Sequence, residues 1–466
     1  MQVVKTTNGY VSGAVIGEPG KEVSVFRGIP YAVPPVGDLR WRPPQPVQPW
    51  KGILECTRFT AMSPQAIMPK MAPDLPVSED CLYLNVVTPA RRGDESLPVM
   101  VWMHGGGYST GCGSDKIWNN YRLPQYGVVV VTVTHRLGPI GLLAHPWLAA
   151  ESAAGVSGNY LFLDLIASLQ WVRDNIAAFG GDPGNVTIFG ESGGGAKVNI
   201  MMASPLARGL FHKAICESGT ALLILTGKTS ADSEKSGENL FKRLGVGSLK
   251  EARSVPAGRL IEATQAIEGP RGQGRPPTAA FDATADGRVL PDIPREVLTS
   301  ASYNAVPLVV SANLGELTGP GPLVIPSLIT AYVEMLESIE RKGLTSYACI
   351  FDQIPAGWKK DGCVSVHSME LPYVFGDWDD STGWWDSVFA LARQSGAVSV
   401  KPGPDSTDRA VSEAMMELWT SFARTGRPAA KGIPDWPAYS RSTDRYLYIC
   451  GKSDIRTGFS RMPASR

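Results

Sequence analysis

Residues 186–204 read VTIFGESGGGAKVNIMMAS. The opening residues, Val186 to Phe189, are apolar and suited to a strand buried on both faces, and a helix is predicted beyond Ser192. Between the two, Gly190, Glu191, Ser192, Gly193 and Gly194 satisfy G-x-S-x-G. A serine at such a strand-to-helix turn is held in strained backbone geometry, and glycines two positions to either side remove Cβ atoms that would collide. The motif alone is compatible with an ordinary turn; its position between strand and helix favours a nucleophilic hydroxyl. A phosphate loop does not fit, because Lys197 follows Ala196 and precedes Val198 where Gly-Lys-Ser/Thr is required.

Outward from this turn, further apolar runs at Leu97–Met103, Val128–Thr134, Ala214–Glu217, Val306–Ser311 and Tyr347–Phe351 read as buried strands. Helical spacing is clearest over Leu163–Phe179, where Leu165, Ile166, Leu169, Val172 and Ile176 recur before the GGDPGN turn. A second helix is predicted from Ser327, as N-cap, through Leu328, Tyr332, Met335, Leu336 and Ile339 to Gly343. Strands alternating with helices imply an α/β architecture with a mostly parallel sheet, whose ligands sit at the carboxyl ends of strands. Gly/Pro clusters at Gly269–Pro277 and Gly319–Pro326 are weak, so residues 1–466 read as one domain, with 320–345 and 376–405 as candidate cap or lid segments.

Composition narrows the function classes. Lys+Arg number 44 and Asp+Glu 44, so the chain lacks the basic excess that draws proteins to nucleic acid or acidic membranes. With 43% hydrophobic and 19% charged residues it is globular rather than disordered. No apolar run approaches the roughly 18 residues of a membrane span, and MQVVKTTNGYVSG lacks a secretory apolar stretch, so a cytoplasmic protein is expected. The seven cysteines are scattered with no CxxC pair, which suggests neither a disulfide framework nor a zinc knuckle. The oligomeric state is open, and a monomer is compatible with the composition.

A serine nucleophile needs a base, and there are five histidines. His104 shapes a glycine-rich loop, His135 ends a core strand, His145 lies in LAHPWL and His212 precedes a strand, so each reads as structural. His367, in CVSVHSMELPYVFG, is the last histidine, where the order nucleophile, acid, base requires it. The acid belongs in a loop after a strand between the two. Glu316 is the acidic residue in the NLGELTG turn after VPLVVSA, whereas Asp282, Asp286 and Asp292 precede that strand and Glu334, Glu337 and Glu340 lie on the predicted helix. Oxyanion donors are expected from Gly106 and Gly107 in MVWMHGGGYSTG, together with Gly193. Neither metal nor organic cofactor is required. Tyr108, Trp118, Trp358, Trp378, Trp384 and Trp385 could frame an aromatic entrance, but core or lid packing is the better expectation.

These residues and their flanking strings resemble the type-B carboxylesterase family over nearly the whole chain. The match includes FRGIPYAVPPVGDLRWRPPQP from Phe26, SEDCLYLNV from Ser78, HGGGY from His104, HRLGPIG from His135 and GNYLFLDLIASLQWVRDNIAAFGGDPGNVTIFGES from Gly158. It continues with GLFHKAICESG from Gly209, HSMELPYVFG from His367, WTSFARTGRP and DWPAY. The resemblance implies an α/β-hydrolase fold, a Ser192/Glu316/His367 triad acting on carboxylic esters through an acyl-enzyme, and supporting polar roles for Glu191 and Ser218. A non-catalytic binding protein of the same shape, or amide, carbamate or thioester cleavage, are the alternatives.

Four departures from the family pattern carry expectations. Gly193 replaces the usual alanine, which implies a less rigid loop and slower catalysis. Ser368 replaces the usual glycine after the base. Fifty-one positions separate Glu316 from His367, fewer than in typical relatives, so a trimmed cap and a more open pocket are expected. Ser63 stands where relatives carry the partner of Cys81, leaving a bridge from Cys81 to Cys56 as an open alternative.

Overall fold

Alternate side chains of Leu97–Met103 enter different apolar clusters: Val99, Val101 and Met103 join one, Met100 and Trp102 the other. That period of two makes this strand the middle of a three-layer structure. Leu308, Val310 and Ala312 alternate with Val309, and Ala348 and Ile350 with Tyr347, Cys349 and Phe351, in the same manner. The computed structural model of the protein describes residues 3–66, 75–220, 227–268, 280–316, 326–355, 358, 362–378 and 403–462.

At the amino-terminal edge, β1 (Val3–Lys5), β2 (Tyr10–Ser12) and β5 (Ile53–Glu55) form a three-stranded sheet. The central sheet has eleven strands: β3 (Ala14–Ile16), β4 (Val23–Pro30), β6 (Tyr83–Thr88), β7 (Leu97–Met103), β8 (Val129–Val133), β9 (Gly181–Glu191), β10 (Lys213–Glu217), β13 (Leu308–Asn313), β14 (Ser346–Phe351), β15 (Arg445–Ile449) and β16 (Asp454–Thr457). A two-stranded ladder pairs β11 (Lys228–Thr229) with β12 (Thr284–Ala285). In the central sheet the order is β16-β15-β14-β13-β10-β9-β7-β8-β6-β4-β3. From β15 to β8 neighbours run parallel, and only the two edges are antiparallel. This is the α/β-hydrolase arrangement, with the six apolar runs read from sequence in its centre.

Helix Tyr160–Asn175 covers one face, starting three residues earlier than its periodicity suggests and tightening to a 3₁₀ turn over Ile176–Phe179. Helices Gly193–Ala203 and Pro326–Arg341 pack on the same cluster, and Ser406–Thr425 packs on the other. Ser327 is not an N-cap; Pro326 already lies within that helix, where its fixed φ suits the first turn. The described part of 320–345 is largely this amphipathic helix, whose Leu328, Tyr332, Leu336 and Ile339 are buried. Of 376–405, residues 379–402 lie outside the described residues. All seven cysteines are free thiols, so Cys81 forms no bridge with Cys56. Among the described residues no helix is long and apolar enough to cross a membrane.

A buried ion pair ties the segment after β8 to the helix Tyr160–Asn175. Arg136, just past β8, donates from Nε and Nη2 to the two carboxylate oxygens of Asp164 at 2.8 and 2.6 Å, and from Nη1 to the Arg42 carbonyl at 2.8 Å. Both side chains are fully buried. Removing one partner strands a charge in the core, whereas replacing both by apolar groups does not. Asp164→Ala should therefore cost about 3–5 kcal/mol in guanidinium unfolding. The double replacement Arg136→Met with Asp164→Leu should cost less than that single change, and equal or larger loss in the double variant would refute the account.

Candidate active site

Ser192 follows β9 and heads the helix Gly193–Ala203 with φ 57° and ψ −124°. Such a left-handed backbone is costly for a residue with a Cβ, and persists only where its surroundings impose it. Here they do: Ser192 N–H donates to the Glu217 carbonyl of the neighbouring β10 at 2.8 Å. A Cβ on Gly190 would lie 2.6 Å from the Met103 carbonyl oxygen, and one on Gly194 1.9 Å from the same atom. The glycines of the motif are steric requirements of this turn.

His367 Nε2 lies 2.9 Å from Ser192 Oγ, and its Nδ1 lies 2.6 Å from Glu316 Oε2. The backbone ties the latter two residues together as well, His367 N–H donating to the Glu316 carbonyl at 3.0 Å. The other Glu316 oxygen accepts the Asn313 N–H at 2.7 Å, which fixes the plane of the carboxylate. Ser192, Glu316 and His367 follow the carboxyl ends of β9, β13 and β14 respectively, on one rim of the sheet. Four of the eight non-glycine residues at positive φ among the described residues, Ser192, Ser218, Glu316 and Ser368, lie on the same rim.

Gly106 and Gly107 take φ of 84° and 62°, and a Cβ on Gly106 would lie 2.4 Å from the Thr110 carbonyl oxygen. The peptides that carry their N–H groups are anchored at the carbonyl end. His104 Nδ1 lies 2.9 Å from the Gly105 carbonyl, and the Gly106 carbonyl accepts from Thr110 N–H at 3.0 Å and Thr110 Oγ1 at 3.1 Å. Gly193 meets this loop closely: a Cβ there would sit 2.3 Å from the Gly107 carbonyl oxygen. The missing alanine methyl thus serves close approach. Among the described residues, the N–H groups of Gly106, Gly107 and Gly193 donate to no protein acceptor.

Carboxylates crowd the base. Glu191 Oε1 lies 3.3 Å from His367 Nε2 and accepts the Ser368 hydroxyl at 2.6 Å. Burial opposes charge on the imidazole, but Glu191 and Glu316 outweigh it and raise His367 to about 10. Burial also raises the Glu191 carboxyl. Ser218 donates to Glu370 Oε1 at 3.0 Å, and Asn313 Nδ2 donates to Glu370 Oε2 at 2.5 Å and Ser218 Oγ at 3.1 Å. Burial, then Glu191 and Glu316, push Glu370 to about 8. The Ser218 hydroxyl is thus bonded to Glu370 and Asn313.

Sequence reasoning missed Glu370 and Asn313. The available signals were an acid three residues past His367 inside the apolar MELPYVF, and an amide three residues before Glu316. Of the aromatic candidates, Tyr108, Trp118 and Trp358 are buried in the core clusters. Trp378 stacks edge-on to Tyr373 at 4.7 Å, while Trp384 and Trp385 lie outside the described residues. Among the described residues no cluster of His, Cys, Asp and Glu is spaced to hold a metal.

A strained serine in hydrogen-bonded series with an imidazole and a carboxylate, facing free main-chain donors, is the equipment of acyl transfer. The family model described as the carboxylesterase family matches residues 1–324 and 325–463. The chain is 31% identical over 492 residues to para-nitrobenzyl esterase of Bacillus subtilis (strain 168), covering 96% of this chain and 94% of that protein. It is 32% identical over 510 residues to carboxylesterase 1C of Rattus norvegicus, covering 96% of this chain and 89% of the relative. It is 32% identical over 478 residues to fumonisin B1 esterase of Sphingopyxis macrogoltabida, covering 92% and 84%. A solved structure of PNB esterase superposes with a TM-score of 0.79 at 29% identity, covering 98% of this chain and 97% of that one. Fold, motif and relatives converge, and the chain belongs to the carboxylesterase family as a serine carboxylesterase.

Proposed function

We propose that the protein hydrolyses carboxylic esters of small molecules, with short to medium acyl groups, through an acyl-enzyme on Ser192. The observation that supports this most is the unbroken relay from Ser192 Oγ to His367 Nε2 at 2.9 Å and from His367 Nδ1 to Glu316 at 2.6 Å. In this reading His367 takes the Ser192 proton as Oγ attacks the ester carbonyl. Gly106, Gly107 and Gly193 N–H groups receive the oxyanion, each such donor contributing roughly 3–4 kcal/mol to the transition state. Collapse releases the alcohol, which takes its proton from His367. Water then attacks the acyl-enzyme, giving its proton to the same imidazole, and the acid departs. Glu316 holds the tautomer and stabilises the imidazolium throughout.

Glu191 has a distinct role in this mechanism. Its carboxylate, with that of Glu316, favours the protonated imidazole that forms at each proton transfer. Ser368 supports the same group, its hydroxyl holding Glu191 against His367. The alignment with the rat protein runs over 510 positions against 466 residues here, so the relative carries segments this chain lacks, in keeping with a trimmed cap and an open acyl pocket. Free thiols at all seven cysteines favour a reducing, cytoplasmic setting.

Ser192→Ala and His367→Ala should fold and lose turnover by roughly 10⁴-fold or more, with Glu316→Gln also losing most of it. A fluorophosphonate probe should label wild type at Ser192, and near-full hydrolysis by Ser192→Ala would defeat the reading. Glu191→Gln should move the acidic limb of the kcat/KM profile to lower pH by roughly 1–3 units, because the imidazole loses a carboxylate that favoured its protonated form. An unmoved limb would remove Glu191 from the base's environment. Nitrophenyl esters from acetate to decanoate should give an optimum among the shorter chains; a preference for decanoate, or faster cleavage of matched anilides, carbamates or thioesters, would reassign the substrate class.

A further inference from the structure

The mechanism above leaves unused a buried cation that has no counter-ion among the described residues. Lys197, in the first turns of helix Gly193–Ala203, is wholly buried and has no carboxylate partner among the described residues. Its ammonium makes a single hydrogen bond, from Nζ to the His104 carbonyl at 2.7 Å. Burial alone pulls it down to about 7. A charge sealed in a core without a counter-ion is expensive, and methionine or leucine would fill the same helical position without that cost. Helix packing therefore does not explain the residue.

Its surroundings point to the glycine-rich loop. His104 is the residue from which that loop departs, and its own Nδ1 lies 2.9 Å from the Gly105 carbonyl, the carbonyl of the peptide whose N–H belongs to Gly106. A backbone carbonyl only accepts, so Nδ1 carries the hydrogen. The His104 ring stacks on His135 with centroids 4.6 Å apart and an interplanar angle of 4°. The His135 Nδ1 likewise lies 2.9 Å from a carbonyl, that of Arg136. Burial, with Lys197 contributing, holds both imidazoles well below their ordinary range, so both rings are neutral. Near neutral pH and below, the positive charge of this cluster thus belongs to the lysine.

We propose that Lys197 is a positioning residue of the oxyanion hole, its buried ammonium holding the His104 carbonyl and thereby the Gly105–Gly107 peptides in the geometry that receives the developing negative charge. This rests on the assignment of Gly106 and Gly107 as oxyanion donors. In the resting protein the ammonium has no counter-charge among the described residues; the oxyanion of the intermediate on Ser192 supplies one, held by the loop that the ammonium supports. An interaction stronger in the transition state than in the ground state raises kcat and leaves substrate binding nearly unchanged.

Two replacements separate charge from packing: Lys197→Met keeps the volume, and Lys197→Ser leaves a small polar residue with room for water. Turnover of nitrophenyl acetate is expressed per site titrated to completion with a fluorophosphonate, so that only native centres are counted. Both variants should lose roughly 10- to 100-fold in kcat, part of what a missing oxyanion donor costs, with KM within about threefold. Affinity for an alkyl trifluoromethyl ketone, which forms a hemiketal oxyanion on the serine, should fall by a similar factor. Affinity for the corresponding secondary alcohol, which forms no adduct, should not.

Folded variants with kcat and ketone affinity within twofold of wild type would overturn the proposal. Equal losses for ketone and alcohol would do so too, as would failure of both variants to yield any titratable native protein, which would assign Lys197 to folding alone. A wild-type protein that neither hydrolyses the ester nor labels at Ser192 would instead refute the esterase reading, so the two failures are distinguishable.

Discussion

The helix after Ser192 begins where it does because its first three residues have no side chains. A Cβ on Gly194 would stand 1.9 Å from the Met103 carbonyl oxygen, one on Gly193 2.3 Å from the Gly107 carbonyl oxygen, and one on Gly195 2.9 Å from the Gly219 carbonyl oxygen. Main chain from β7, from the glycine-rich loop and from the segment after β10 therefore all reach the same turn. This contact forces Ser192 into its strained conformation, lifts its hydroxyl off the sheet and brings the Gly193 N–H beside the Gly106–Gly107 loop. At Gly194 in particular a side chain would collide with the β7 main chain and push the turn off the sheet end.

Around that contact the parallel sheet acts as a collecting device. Strands β9, β10, β13 and β14 are neighbours although their residues are far apart in the chain, and their carboxyl ends deliver Ser192, Ser218, Glu316 and, through a longer loop, His367 to one rim. The loops are cross-tied by backbone bonds rather than left to side-chain contact: Gly315 N–H donates to Ser365 O at 2.8 Å, and His367 N–H to Glu316 O at 3.0 Å. Such ties hold Glu316 and His367 in register, and in a catalytic relay misplacement by about 1 Å can cost a hundredfold in rate.

The rim is also where the fold carries its least comfortable electrostatics. Glu191, Glu217, Glu316 and Glu370 are all buried, and burial raises Glu217 far above the ordinary carboxyl range. Glu370 is saturated by Ser218 and Asn313, and Glu316 by Asn313 N–H and the imidazole, so the cost of burying these oxygens is offset by well-formed hydrogen bonds. Beneath the neighbouring loop the sign reverses, with Lys197 as a buried cation.

Local sequence was sufficient for whatever depends on neighbours in the chain. Alternating or continuous apolar runs located the six central strands, since burial on both faces admits little else, and the glycines around Ser192 announced a turn no other residue could make. Chain order and scarcity led to Glu316 and His367. Ser327 was misjudged as a cap because Pro326 suits a first turn equally well. Glu370, Asn313 and Lys197 left almost no local trace. A carboxylate that serves a distant serine, an amide that bridges two strand ends and a lysine buried under a loop ninety-three positions earlier acquire meaning only when the sheet has assembled, because hydrogen bonds and desolvation depend on distance in space and not along the chain.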